Sequence, residues 1–379
     1  MSLAQFAHRM LALPVHDEAS RQDFVRDFRM HLATTVYPGN RAAYAERAEP
    51  AFAKAKGRKP QDRHEVRHIM QRDPYYQLWS SMQRSSQEMM WDSVIDSVER
   101  RLPELKRGTG NAPAGGTLTL DPKLRVPKYL TAYDIHLQPG GYHTELDDGD
   151  VAAGAIYDRG LYIYSMGALG PNNEDLGNTT LDYFRKAYPG RVPARVLEIG
   201  CTIGNSALPW ARAFPSAEVH GIDVGAPCVR YAHARAEALG LKAHFAQANA
   251  ESTKYDSNSF DVIISHFFMH ETSRTAIKKI FAECQRLLKP GGVMIHLDII
   301  NAASSTPLQA FLEEWEVYNN NEAFMGEIRD MDLPALMKEV GFDPATAKLT
   351  KHSSQSSDQA ADGYINFFEW PIYTAEKPR

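Results

Sequence analysis

Residues 195–224 read RVLEIGCTIGNSALPWARAFPSAEVHGIDV, and this stretch decides the fold. Val196, Leu197 and Ile199 make a short apolar run of the kind that a buried parallel strand uses. Glycines follow at once, then apolar residues at helical spacing, and a second apolar strand ends at Asp223. The order of strand, glycine turn, helix, strand and acid predicts the first half of a nucleoside-binding α/β fold.

The chemistry of the loop suits a nucleoside. Gly200 and Gly204 let the backbone approach a ligand without a Cβ in the way, and the helix N-terminus offers free N–H groups. Asp223 lies 19 residues after Gly204, where a carboxylate is expected to accept hydrogen bonds from ribose hydroxyls. The dinucleotide fingerprint G-x-G-x-x-G is missing from this loop, which disfavours a nicotinamide cofactor.

The loop instead has the pattern E-x-G-x-x-x-G, with Glu198 two residues before Gly200. This pattern resembles the S-adenosylmethionine (SAM) loop of class I methyltransferases. The resemblance implies that the acid faces the cationic methionine end of the cofactor. Thr202 stands where members of the family often have a further glycine.

Three later segments resemble the same family in the same order. Residues 248–251 (ANAE) resemble the segment that contacts adenine, with Asn249 where an aspartate is common. Residues 259–266 (SFDVIISH) resemble the fourth strand, and residues 287–292 (LLKPGG) resemble the turn before the fifth. The resemblance covers about half of the chain, roughly 183–371.

The resemblance implies a Rossmann-like α/β fold: seven strands alternating with helices, the last strand antiparallel. It implies SAM as the cofactor. The residues that we expect to bind it are Glu198, Gly200, Cys201, Thr202, Gly204, Asn205, Asp223, Val224, Asn249, Ala250, Ser265, His266 and Tyr164.

The length of 379 residues predicts more than one domain. We expect a helical N-terminal domain over 1–107, which serves as a lid or dimer contact. A linker, hairpin and lid segment follows over 108–179, and the SAM-binding domain takes 180–379. The net charge of −5 gives no overall attraction to nucleic acid or anionic membrane. Three cysteines and the lack of a signal-like or membrane-spanning run favour the cytoplasm.

Two features of the N-terminal section have competing interpretations. Asp73 followed by Pro74 predicts a helix start, and the apolar residues of 79–102 recur at helical spacing. We interpret that stripe as core rather than as an adaptable pocket. The basic segment 54–59 (KAKGRK) is interpreted as a solvated loop rather than a nucleic-acid contact, because no aromatic residues are interleaved with it.

The middle section holds a polar hairpin and a lid. We expect two antiparallel arms around the turn 138–141. The polar side chains on these arms (Asp134, His136, His143 and Glu145) admit a divalent-metal alternative, but a polar hairpin is favoured and no metal is assigned. Residues 154–170 are expected to form the lid, with Tyr157, Tyr162 and Tyr164 divided between pocket and core.

Methyl transfer is a direct displacement that requires alignment of the two reactants and, for some acceptors, a base. His266 and His270 follow the fourth strand, and imidazole titrates near neutral pH. We expect His270 or His266 to be the base, with His143 third. The alternative is that these histidines form polar walls or cap helices.

The sequence therefore predicts a SAM-dependent methyltransferase that acts on a small molecule in the biosynthesis of a secondary metabolite or cofactor. We expect a homodimer, and no nucleic-acid or membrane partner. Two alternatives stay open: a methyltransferase that acts on RNA or protein, and a SAM-fold module without enzymatic activity.

Overall fold

The computed structural model describes residues 4–110, 113–299, 306–355 and 369–379. Its eight strands form one sheet in the spatial order β1-β4-β3-β2-β5-β6-β8-β7. The strands are β1 (Thr117–Thr119), β2 (Arg195–Ile199), β3 (Glu218–Asp223), β4 (His244–Gln247), β5 (Phe260–His266), β6 (Leu288–Leu297), β7 (Lys348–Ser353) and β8 (Glu369–Glu376).

Strands β1 to β6 run parallel, whereas β8 is antiparallel to both of its neighbours, β6 and β7. This arrangement confirms the Rossmann-like sheet with a reversed last strand. Strand β1 is an eighth strand, added at one edge by the pairing of Thr117 with His244. The sequence suggests a short strand here, because leucine and threonine alternate over 117–120.

Helices cover both faces of the sheet and make up the N-terminal section. No helix within the described ranges combines the length and the apolar character needed to cross a membrane. The helices are α1 (His16–His31), α2 (Gly39–Ala43), α3 (Glu49–Lys56), α4 (Arg63–Met70), α5 (Pro74–Gly108), α6 (Lys128–Thr131), α7 (Ala152–Tyr164), α8 (Asp175–Ala187), α9 (Ala207–Ala213), α10 (Ala226–Ala238), α11 (Arg274–Leu287), α12 (Pro307–Glu313), α13 (Trp315–Asn319), α14 (Met325–Arg329) and α15 (Leu333–Glu339).

The central strands carry apolar residues on both faces because both faces are covered. Val196, Val262 and Val293 are aligned across β2, β5 and β6 and pack toward α8 and α9. The next residue of each strand points to the opposite face and packs toward α11. Helix layers on both faces therefore hold the carboxyl ends of these strands in place.

The N-terminal section is built on the 35-residue helix α5. It begins where the sequence predicts, because the side chain of Asp73 accepts a hydrogen bond of 2.9 Å from the Tyr75 amide. Met90, Val94 and Val98 are fully buried in a cluster shared with α7. The apolar stripe of α5 is therefore core, as we interpreted it.

A buried carboxylate on α7 joins the first residues of the chain to α10. The Oδ2 atom of Asp158 accepts hydrogen bonds from the Tyr231 hydroxyl (2.8 Å) and from Arg235 Nε (3.1 Å), and it lies 3.2 Å from His8 Nε2. Its Oδ1 atom accepts a bond of 3.1 Å from Gln5 Nε2. The side chains of Asp158 and Arg235 are fully buried, so the ion pair is shielded from water.

The prediction of two antiparallel arms over 134–145 is wrong. The described chain has no strand here, and a short 3-10 turn covers Ile135–Leu137. His136 and Leu137 both have positive φ angles, 55° and 58°, which turn the chain too sharply for a strand. Asp134 Oδ2 closes the loop by accepting a hydrogen bond of 3.0 Å from the Gly140 amide.

The basic segment 54–59 spans the end of α3 and the turn after it. Two of its cations are paired, because Arg58 lies 2.6 Å from Glu65 and Lys59 lies 2.7 Å from Glu49. These acidic neighbours neutralise part of the positive charge that a nucleic acid would need.

Two sequence-predicted C-terminal strands, near 345–349 and 364–373, correspond to β7 and β8. β7 begins at Lys348 and β8 at Glu369. The first part of the second prediction, 364–368, lies outside the described residues.

Candidate functional site

A cavity of about 450 Å³ lies at the carboxyl ends of β2, β3 and β5. This is the edge at which open α/β sheets bind ligands. One part of its wall comes from the loop after β2 and the tip of β3. A second part is polar and includes His136, His270, Glu271 and Glu322, and much of the remaining wall is apolar. The cavity therefore joins a cofactor-type loop to a group of imidazoles and carboxylates.

The loop after β2 is shaped by backbone conformation. Gly200 has a φ of +66°, and a Cβ at this position would lie 2.2 Å from the ring of Phe268. Thr202 also has a positive φ, 45°, an uncommon conformation for a β-branched residue. The Thr202 amide donates a hydrogen bond of 3.0 Å to Asp223 Oδ2, which holds the loop against the tip of β3.

Asp223 sits where the sequence predicts an acid. Its Oδ1 atom accepts a hydrogen bond of 2.9 Å from the Gly225 amide, and the side chain lines the cavity. Burial raises the pKa of Asp223, although the amides of Gly225 and Thr202 oppose the shift. A carboxylate oxygen that accepts one amide bond can still accept another, so the ribose contact remains open to it.

The structure brings most of the predicted cofactor residues to this cavity. Those in its wall are Gly200, Thr202, Asp223, Val224, Asn249, Ala250, His266 and Tyr164.

Five others lie behind the wall. Cys201, Gly204 and Asn205 contact the protein interior: a Cβ on Gly204 would meet the Phe245 ring at 2.7 Å, and Asn205 donates to the Asn173 carbonyl. Ser265 is fully buried, with its hydroxyl 2.5 Å from His296 Nδ1. Glu198 is also buried and reaches the cavity through His266, whose Nδ1 lies 2.8 Å from its Oε1.

Helix geometry decides which of the three tyrosines of the predicted lid face the cavity. The segment that the sequence predicts to be a lid lies in α7 up to Tyr164. Tyr157 and Tyr164, seven residues apart, share one helix face and line the cavity. Tyr162 points elsewhere and stacks on the Arg159 guanidinium at 5.4 Å. Two of the three tyrosines therefore belong to the pocket.

The structure distinguishes the three candidate bases. Both ring nitrogens of His266 are occupied, by Glu198 at 2.8 Å and by the Thr180 hydroxyl at 2.9 Å. His270 Nδ1 lies 2.6 Å from Asp298 Oδ1. Burial by itself lowers the pKa of His270, but Asp298 and the nearby glutamates outweigh it and raise the pKa to about 10.

His143 also lines the cavity, and burial lowers its pKa. It is therefore mainly neutral near pH 7. Of the other polar residues of the predicted hairpin, His136 also lines the cavity, whereas Asp134 caps the turn and Glu145 pairs with Arg230 at 2.6 Å. The identity of the base stays a prediction.

Sequence reasoning missed Glu322 and Glu316. Glu322 lies in the loop between α13 and α14, and its Oε1 atom is 2.9 Å from His136 Nε2. Burial raises the pKa of Glu316 to about 8, and Glu322 adds to the effect. No local motif surrounds Glu322, so no pattern could have assigned it to the cavity wall; Glu316 is not in that wall and interacts with Glu322 and His136 through its charge.

The central part of the sheet is similar in sequence to known proteins. Residues 196–292 match the family model described as a methyltransferase domain. The demethylmenaquinone methyltransferase of Thermus thermophilus is 31% identical over 108 residues, which are 28% of this chain and 48% of that protein. The ubiquinone biosynthesis O-methyltransferase of Maricaulis maris is 30% identical over 122 residues, 32% of this chain and 46% of that protein.

The chain thus spans less than half of the length of each of these relatives. Among solved structures, phosphoethanolamine N-methyltransferase 2 of Haemonchus contortus, crystallised with phosphomonomethylethanolamine and S-adenosylhomocysteine (SAH), is 20% identical. That alignment covers 59% of this chain and 58% of the other, with a TM-score of 0.44.

Proposed function

Because residues 196–292 form a class I SAM-dependent methyltransferase domain, we propose that the protein transfers the methyl group of SAM to a small-molecule acceptor. The observation that carries this proposal is the single cavity in which the loop around Gly200 and the tip of β3 face a polar group of imidazoles and carboxylates. One part of the cavity suits the cofactor and the other an acceptor.

The residues in the wall fit SAM. Gly200 has a left-handed backbone and lies against the Phe268 ring, where a Cβ would not fit, and Gly200 and the Asp223 carboxylate both line the cavity. Gly200 and Thr202 would lie along the cofactor, Asp223 would hold the ribose, and Asn249 and Ala250 would contact adenine. SAM supplies a methyl group on a positively charged sulfur, which is the electrophile.

Asn249 is expected to contact adenine as a donor. Its Oδ1 atom already accepts a hydrogen bond of 2.9 Å from the Glu251 amide. The side-chain NH₂ group is then the better placed end for a ligand, and an amide NH₂ donates to ring nitrogens.

The cavity size supports a small-molecule acceptor. About 450 Å³ lies within the range of small-molecule sites, roughly 300–1,000 Å³. Trp91 of α5 and Tyr157 of α7 line it, so the N-terminal helices act as its cover in this proposal. The names of the two relatives point to quinone biosynthesis, which supports a biosynthetic role. The paired cations of 54–59 give the RNA alternative little support.

We also propose that the protein works in the cytoplasm and as a homodimer. The support for the first is that Cys201, Cys228 and Cys284 are all buried and free, as is usual in a reducing compartment. The long N-terminal helix α5 (Pro74–Gly108) supports the second, and sedimentation velocity would test it.

Isothermal titration with SAH tests cofactor binding. We expect the wild-type protein to bind SAH and Asp223→Asn to bind it about 10- to 100-fold more weakly, because a charged hydrogen-bond acceptor contributes roughly 1.5–3 kcal/mol. The matched control is Asp148→Asn, which removes an exposed carboxylate and should leave SAH affinity unchanged. Lack of SAH binding by the wild-type protein would refute the proposal.

The transfer itself is tested by incubating the protein with methyl-labelled SAM and a panel of phenols, hydroxy acids and amines. In the expected reaction, a new bond forms between the methyl carbon and the acceptor atom. The carbon–sulfur bond of SAM breaks and its electron pair stays on sulfur, and the acceptor atom loses its proton. SAH binding without labelled product from any acceptor class would favour the non-enzymatic alternative.

A further inference from the structure

Three side chains with metal-binding atoms converge in the polar part of the cavity: His136, His270 and Glu271. One ligand atom from each lies within 4.8 Å of the other two, and His136 Nδ1 is 3.6 Å from Glu271 Oε1. Donors that share a metal with bonds of ~2.1 Å lie about 3.0–3.5 Å apart. The three groups are therefore close to the spacing that a bound ion requires.

Each imidazole has a carboxylate on its outer nitrogen. Asp298 Oδ1 lies 2.6 Å from His270 Nδ1, and Glu322 Oε1 lies 2.9 Å from His136 Nε2. Metal-binding histidines commonly donate their second N–H to a carboxylate, which fixes the tautomer and the ring orientation. The nitrogens that an ion would use are His270 Nε2, which must release its proton when it binds the ion, and His136 Nδ1, which is hydrogen-bonded to the Tyr142 hydroxyl in the structure.

A buried carboxylate oxygen beside this group lacks a hydrogen-bond partner. Glu322 is 4% exposed, and its Oε2 atom makes no hydrogen bond to any residue that the structure describes. It lies 3.6 Å from His270 Nε2. A buried carboxylate oxygen without a hydrogen-bond partner is destabilising unless something satisfies it, and a cation beside His270 would do so.

The backbone at His136 is held in an uncommon conformation. His136 has a φ of 55°. Its carbonyl oxygen accepts hydrogen bonds from Trp91 Nε1 (2.7 Å) and Gln87 Nε2 (3.0 Å), both on α5. Backbone strain persists where the surroundings enforce it, and it concentrates at functional sites. Helix α5 thus presents the His136 ring to the cavity.

We propose that His136, His270 and Glu271 bind one divalent transition-metal ion in the polar part of the cavity. Two imidazoles and one carboxylate suit Fe²⁺, Mn²⁺, Co²⁺ or Zn²⁺ better than Ca²⁺ or Mg²⁺, which favour all-oxygen sites. The Tyr142 hydroxyl is hydrogen-bonded to His136 Nδ1, so metal binding displaces it or takes it as a further oxygen ligand.

Three protein ligands leave coordination positions open toward the cavity. An acceptor with an oxygen donor, such as a phenol, a hydroxy acid or a vicinal diol, would fill one of them. A metal-bound hydroxyl loses its proton more readily, which would supply a nucleophile without a free histidine base. This last step rests on the proposed function, whereas metal binding does not.

The test is titration of the full-length protein, cleared of metal by a chelator, with Co²⁺, followed by visible absorption and calorimetry in the absence of SAM. We expect about one ion per chain with a spectrum of mixed nitrogen and oxygen ligation. His270→Gln and Glu271→Gln should each weaken Co²⁺ binding at least about tenfold, since even an outer partner contributes that much.

His143→Gln is the matched control, because it removes another imidazole from the same cavity and should leave Co²⁺ affinity unchanged. Circular dichroism and SAH titration of each variant distinguish a lost metal site from a lost fold. Absence of Co²⁺ binding by the folded wild-type protein would overturn the proposal, as would binding that His270→Gln and Glu271→Gln leave intact. SAH binding without Co²⁺ binding would leave the proposed function standing and remove the metal site.

Discussion

Gly200→Ala is expected to weaken SAH binding by about 30- to 100-fold, or roughly 2–3 kcal/mol. The new methyl group would lie 2.2 Å from the Phe268 ring, and φ at this position is +66°. Phe268 lines the cavity, so either its ring moves into the space of the cofactor or the loop moves away from it. Isothermal titration with SAH measures the loss.

Gly190→Ala distinguishes the effect of backbone strain from the effect of the clash with the Phe268 ring. Gly190 has a similar φ, +76°, but a Cβ there would meet nothing within 4 Å. Both variants should therefore lose about 1–2 kcal/mol of stability from backbone strain, and Gly190→Ala should bind SAH like the wild type. Native SAH affinity in folded Gly200→Ala would mean that this loop is not the cofactor cradle.

Asp158→Asn is expected to lower the free energy of unfolding by about 3–5 kcal/mol. The change leaves the fully buried Arg235 guanidinium without its counter-charge. It also places an NH₂ group among donors, because Tyr231, Arg235 and Gln5 all donate to this carboxylate. Since a domain's total stability is about 5–15 kcal/mol, the loss should be plain in urea unfolding.

The matched control is Asp96→Asn. Asp96 pairs with Arg21, and their side chains are 51% and 57% exposed. Exposed pairs contribute about 0–1 kcal/mol, so this variant should unfold almost like the wild type. If Asp158→Asn is no less stable than Asp96→Asn, the buried pair does not anchor the first residues to α10.

The difference in stability between Asp158→Asn and the wild type depends on pH, and the direction of that dependence can be stated. Burial alone would raise the pKa of Asp158, but Arg235 and His8 outweigh it and hold the pKa well below its usual value. The stabilisation is therefore full above the usual pKa of about 4 and is lost as the pH falls from there toward the folded pKa. The difference in stability between Asp158→Asn and the wild type should accordingly shrink below about pH 4.

The order of strand, loop and acid in 195–224 was predictable because each signal is local. A short apolar run predicts a strand that is buried on both faces, and a glycine predicts a turn. Neither prediction requires knowledge of a tertiary contact. The placement of Asp223 at the tip of β3 follows from the same pattern. For these residues, the conformation that the local sequence favours is the one that they have in the folded protein.

The direction of individual side chains was harder to predict. Ser265 and His266 are neighbours at the end of β5 and point to opposite faces. His266 enters the cavity wall, whereas Ser265 bonds to His296 behind it. The sequence assigns both to the cofactor, because alternation alone does not say which face of the sheet the ligand occupies.

By itself the sequence determined the α/β sheet and the cofactor-type loop, since these depend on apolar periodicity and glycine positions within short segments, whereas the reversed last strand was implied by the resemblance to class I methyltransferases. Only the tertiary structure decided the polar part of the cavity. It brings His136 and Glu322, 186 residues apart in the chain, to within 2.9 Å of each other. Such a contact depends on how α5, β5 and the loop after α13 pack together, and no short stretch of sequence records that packing.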